Sequence, residues 1–238
     1  GLYPTVIEEI LREFYLADFG EWIWARMKTV AEQMWLPNEG SLDEDSHPGT
    51  YFLKKLAAHQ SANPSFSVDF VGHSAGSIAI CHMLRSADAA GNLPQIRNIV
   101  FLAPACLTTL MHEEIISHPD RFADFRMFTM DDEFEQKDRL VPLIYPRSLL
   151  YLISGALEME VDIPVAGMTR FWTGEEPFDD AHLSETAAWL KEAGKDRNVL
   201  SVTDGGPDGM RSRSDKHGDF DNDPETLASL THMVSRQT

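Results

Sequence analysis

The sequence predicts an α/β domain with a mainly parallel sheet flanked by helices, and three observations carry that expectation. Short β-like runs alternate with helical stretches from residue 65 onward, the pattern of βα units. One such run leads through Gly72-His73-Ser74-Ala75-Gly76 straight into the apolar stretch Ile78-Ala79-Ile80-Cys81. The composition, 43% hydrophobic and 10% aromatic over 238 residues, suffices for one sizeable core.

The elements follow in order. Residues 5–14 show helical spacing, and in 22–35 Ile23, Met27, Val30, Ala31 and Met34 fall along one stripe. A polar loop with Pro37, Asn38, Gly40 and Pro48-Gly49 separates them from a third helical run at 50–60. No strand is readable before residue 65. The strand-like runs are 67–71, 99–103, 125–130 and 199–202, with helical candidates at 75–84, 109–117, 148–158 and 183–192 between them. Residues 224–235 close the chain as a helix, with Asp223 as N-cap, Pro224 at the first position and Glu225 in the first turn. The expected organisation is a single domain over 1–238, with a helical lead-in at 1–64, βα units at 65–238 and an insert at 140–172.

Composition narrows the function classes. A formal charge of -18 repels phosphate backbones and anionic headgroups, so nucleic acid and membrane surfaces are not expected as partners. No run reaches the roughly 18 to 20 apolar residues of a membrane-spanning helix, and the start lacks the features of a secretory signal. The two cysteines, Cys81 and Cys106, are too few for a disulfide framework and suggest a reducing, cytoplasmic setting.

The chemistry concentrates at Ser74. A G-x-S-x-G between strand and helix is the pattern of a nucleophile elbow, a sharp turn whose flanking glycines are expected to let strand and helix approach without a Cβ clash. The serine projects from the turn, and the free N–H of Ala75 at the helix N-terminus is the candidate oxyanion donor. His73, at the variable position, is read as structural. The competing account is a tight βα turn in which Ser74 only caps the helix.

A serine hydroxyl needs a base, and that base needs an orienting acid. His217 follows the last strand-like run through a Gly-rich loop and precedes Gly218, which suits a loop folding back over the elbow; the other eight histidines lack that placement. Asp219, Asp221 and Asp223 behind it alternate as in a calcium loop, but Pro224 and Leu230 occupy positions where such a loop needs glycine and glutamate, so no metal is expected. Five carboxylates compete for the acid: Asp131, Asp132, Glu133, Glu135 and Asp138. Asp138, which opens Asp138-Arg139-Leu140-Val141-Pro142, is preferred.

Through G-H-S-A-G, D-R-L-V-P and the late His217-Gly218, the chain from about Ser67 onward resembles the α/β-hydrolase superfamily. Residues Trp24-Ala25-Arg26-Met27-Lys28, Ser148-Leu149-Leu150-Tyr151-Leu152 and 217–223, with Pro224, are similar to a group of poorly characterised bacterial members. The resemblance implies a serine hydrolase and no particular substrate; the leading expectation is an ester or thioester hydrolase working through an acyl-enzyme without a cofactor, with Ser74, Asp138 and His217 as triad. Leu149 to Ile153 in the insert are expected either as a lid or as an ordinary core helix. In that family the elbow strand lies near the middle of the sheet, yet no upstream strands and no glycine-rich oxyanion loop are readable here. With Gly1 rather than methionine at the start, the expectation is the C-terminal portion of the fold, partnered by an N-terminal segment of the same fold.

Overall fold

A computed structural model describes residues 16–36, 47–140, 145–174, 176–203 and 205–236. The expected helix at 5–14, most of the polar loop after residue 36, and Val141 and Pro142 lie outside these residues. Two helices come first, α1 (Leu16–Gln33) and α2 (Pro48–Ala62). A sheet of four parallel strands follows, β1 (Val68–His73), β2 (Ile96–Leu102), β3 (Phe122–Met130) and β4 (Asn198–Ser201), paired in chain order. Parallel pairing requires a crossover between neighbours. The crossovers carry α3 (Gly76–Ala89), α4 (Thr108–Met111), α5 (Asp132–Lys137), α6 (Leu149–Leu152) and α7 (Ala181–Leu190), and α8 (Pro224–Ser235) ends the fold. Among the described residues no helix is long and apolar enough to cross a membrane.

The strands alternate with period two between two cores. Ile99, Phe101, Phe125 and Met127 face a large cluster containing Ile78, Ile80 and Leu84 of α3, Leu150 and Ile153 of the insert, and Leu183 of α7. Val100, Leu102, Phe128, Met130 and Val199 face a smaller one closed by Phe220 and by Met233 of α8. The sheet is therefore covered on both faces, as parallel sheets require. Within the insert, Leu150, Ile153, Val165, Met168 and Phe171 are fully buried in the large cluster.

Local signals explain the helix starts. Asp223 accepts hydrogen bonds from the Thr226 N–H and hydroxyl, Pro224 opens α8, and Asp131 and Ser148 cap α5 and α6 through Phe134 N and Tyr151 N. The candidates at 109–117 and 148–158 each begin as a single α turn and continue as a π-helical turn, His112–Ile116 and Ile153–Leu157.

The expected stripe on α1 holds in its second half, where Ala31 and Met34 pack against the large cluster, and not in its first. Ile23, Met27 and Val30 are largely exposed, while Trp24 is buried and its Nε1 donates to Glu158 Oε1 at 2.6 Å beside Lys28, which pairs with the same carboxylate at 2.6 Å. In the first half of the helix the buried face is therefore turned by one residue, onto Trp24 and Lys28. Among the described residues both outer strands keep a free edge, and Val71 of β1 is 46% exposed.

Candidate active site

The site is built at the C-terminal ends of β1 and β2. Ser74 N donates to Leu102 O at 2.9 Å, extending the β1–β2 ladder by one bond. The chain then reverses into α3 through a left-handed Ser74, φ +52°. That conformation costs about 1–2 kcal/mol for a residue with a Cβ. Three donors converge on its carbonyl and hold it there: Ser77 Oγ at 2.7 Å, Ser77 N at 3.1 Å and Ala105 N at 3.1 Å. Ser77 Oγ also accepts from Cys106 N at 3.1 Å, so the loop after β2 buttresses the turn.

The two glycines are not equivalent. A Cβ on Gly72 would lie 2.7 Å from Gly76 C, 2.8 Å from its carbonyl oxygen and 2.8 Å from Ile80 Cδ1, so strand and helix approach over a bare Cα. A Cβ on Gly76 would meet nothing within 4 Å, which corrects the expectation that both glycines relieve a clash. The Ala75 N–H donates to none of the described backbone carbonyls and lies at the N-terminus of the 14-residue α3, where the helix dipole is positive.

His217 comes to the same place from the far end of the chain. Its Nε2 lies 2.9 Å from Ser74 Oγ, and its side chain is buried. The main chain is gripped on both sides: His217 N donates to Asp138 Oδ2 at 2.9 Å, and His73 Nε2 meets His217 O at 2.9 Å. The His73 and His217 rings face each other at 5.4 Å and 32°. His73 Nδ1 is 3.7 Å from Asp221 Oδ2.

Burial pushes the His217 imidazole down to about 3, with nearby His73 adding to the shift. The ring is therefore neutral at ordinary pH. A neutral ring that accepts the Ser74 hydroxyl proton at Nε2 carries its own proton on Nδ1. Nδ1 is buried without a hydrogen-bond partner among the described residues. Asp138 thus meets His217 through the backbone N–H, and its contact with the ring proton is not made in this arrangement. Burial, more than any other influence, raises the Asp138 carboxyl above its ordinary value.

The other four acids are engaged elsewhere. Asp131 caps α5, Asp132 accepts from Tyr151 Oη at 2.6 Å, and Glu133 pairs with Lys137 at the surface. Glu135 is fully buried on the inner side of α5; burial pushes its carboxyl up to about 8, the Ser148 hydroxyl offsets part of this, and the charges of Asp138, Asp132 and Asp131 add to it. Neither Glu135 oxygen makes a well-formed hydrogen bond. Of the five candidates, Asp138 is the one that touches His217.

Sequence reasoning passed over two parts of this arrangement. His73 carries no pattern that distinguishes a filler from a clamp, since its partner is a carbonyl 144 positions away. The Ala105 and Cys106 backbone contacts follow a second left-handed residue, Ala103 at φ +41°, and main-chain donors leave no side-chain signature. Comparison with protein-family models, with curated proteins and with solved structures found no match.

Proposed function

We propose that the chain is a serine hydrolase of the α/β-hydrolase family that cleaves an ester or thioester through an acyl-enzyme. The observation that carries this reading is the 2.9 Å approach of His217 Nε2 to the hydroxyl of a left-handed Ser74 at the head of a helix. Ser74 Oγ attacks the acyl carbon as its proton passes to Nε2, and the carbonyl oxygen becomes an oxyanion beside Ala75 N–H. The bond to the leaving oxygen or sulfur then breaks, and the imidazolium returns the proton to it. Water, deprotonated by the same ring, releases the acid and restores Ser74.

Asp138 is the orienting acid in this reading. Its carboxylate already holds the main chain of His217, and the buried Nδ1 proton needs an acceptor. No cofactor enters the chemistry. The free edge of β1 among the described residues, with Val71 exposed, supports an N-terminal segment of the same fold as a partner that adds a strand there and brings a second oxyanion donor. Loss of one such donor typically costs about 100- to 1000-fold in rate.

A second reading rests on the unpartnered Nδ1: a catalytically silent module of the same fold that binds a ligand. Labelling with a fluorophosphonate probe separates the two. Labelling of the wild-type chain that is absent from Ser74→Ala supports the hydrolase. A wild-type chain that stays unlabelled, alone and with any co-purifying segment, supports the silent module.

A further inference from the structure

On the α8 face of the sheet a cavity of about 490 Å³ opens between the 208–211 loop and the end of the helix, lined in part by Gly209, Arg211, His232 and Arg236. Its lining includes none of Ser74, Ala75, Asp138 and His217, so it is separate from the Ser74 site. Beneath it sits Arg126 of β3, 5% exposed. Its Nε donates to Asp196 O at 3.1 Å and its Nη1 to Gly209 O at 2.8 Å. A Cβ on Gly209, φ +85°, would lie 3.0 Å from both Arg126 Nη1 and His232 Cδ2. The guanidinium is therefore hydrogen-bonded to one residue that lines the cavity, Gly209.

The charge balance here is unusual for a chain of formal charge -18. Among the described residues no carboxylate reaches ion-pair distance of Arg126 or of Arg236, while Arg211 pairs with Asp208 on the cavity wall and lies 4.0 Å from Glu225. Buried charges are ordinarily paired, because an uncompensated one costs several kcal/mol. Two carbonyls satisfy hydrogen bonds of Arg126 but supply no charge. Asp124 and Asp196 act on it from a distance, and Arg236 opposes them.

We propose that this cavity is a binding site for a small phosphate-bearing anion, with Arg126 and Arg236 as the recognising cations. Two unpaired positive charges match a dianion, and guanidinium groups bind phosphate oxygens through paired, charge-assisted hydrogen bonds. A monocarboxylate would leave one of the charges unmatched.

The test is isothermal titration of the whole chain with inorganic phosphate at constant ionic strength, with acetate as the competing chemistry. Saturable phosphate binding at one site is expected, weakened about tenfold or more by Arg236→Ala and by Arg126→Met, and unchanged by Ser74→Ala. Absence of saturable binding up to about 10 mM phosphate, unchanged affinity in Arg236→Ala, or equal binding of acetate would each overturn the assignment. Arg236 is exposed, so its variant decides the question even where circular dichroism shows Arg126→Met unfolded. The outcome is independent of whether Ser74 is catalytic.

Discussion

Replacing Glu135 by glutamine removes an ionisation at a fully buried position near the candidate acid, and its effect on stability can be worked from the structure. The carboxyl titrates near 4.5 in an ordinary setting and is pushed up to about 8 in the fold. Between those values the folded chain holds a proton that the unfolded chain has released, so stability falls as pH rises through this window. The contribution of the neutral form is fully present below about pH 4.5 and is lost by about pH 8. At 1.36 kcal/mol per tenfold proton ratio, the penalty at pH 7 is roughly 3 kcal/mol. Glutamine keeps the shape and cannot ionise. Urea denaturation of wild type and Glu135→Gln is therefore expected to give similar midpoints near pH 4.5, and a variant more stable by roughly 3 kcal/mol at pH 7. A variant that is no more stable at pH 7 than at pH 4.5, each relative to wild type, would refute the reasoning.

Three further predictions concern the elbow and its histidines. Gly72→Ala forces a Cβ to within 2.8 Å of the α3 backbone and is expected to cost at least about 2 kcal/mol in chemical denaturation, whereas Gly76→Ala, with open space around its Cβ, is expected to leave stability within about 1 kcal/mol of wild type. Equal effects of the two would contradict the close approach at Gly72. Asp138→Asn keeps an oxygen able to accept from His217 N but loses the charge, so the chain is expected to fold normally while the rate of fluorophosphonate labelling drops about 1000-fold or more; a wild-type rate would remove Asp138 from the triad. His73→Ala releases the carbonyl of His217, and a labelling rate lower by about tenfold is expected, with unchanged circular dichroism. No change in rate would return His73 to a purely packing role.

What the sequence disclosed depended on whether physics restricts residue type. The four strands were readable to within a few residues because two-sided burial demands apolar runs, as at Ile99 to Leu102 and Phe125 to Met130. The closing helix was readable to the residue, since Asp223, Pro224 and Glu225 each serve one helix-start function. Ser74 and His217 stood out because a left-handed turn between strand and helix and a late loop histidine are narrow requirements. The acid was harder. Five carboxylates follow β3, and only the cap at Asp131, the tyrosine on Asp132, the lysine on Glu133 and the burial of Glu135 separate them from Asp138.

Other features left no trace at the level of pattern. The buried face of α1 turns on whether Trp24 or Ile23 packs inward, and the decisive partner, Glu158, is 134 positions away. Arg126, a charged residue within the third strand, is buried, and its Nη1 donates to Gly209 O of the 208–211 loop. His73 likewise acquires its place only when His217 arrives from the other end of the chain. Long-range closure of this kind is what a one-dimensional period cannot encode.

The measurement that bears most directly on the proposed activity is mass mapping of the fluorophosphonate adduct, with labelling rates compared between wild type and His217→Ala. The account predicts a single modified residue, Ser74, and a rate reduced by at least about 1000-fold in His217→Ala. A wild-type chain that takes the label on a different residue, or labels at Ser74 equally fast without His217, would contradict it.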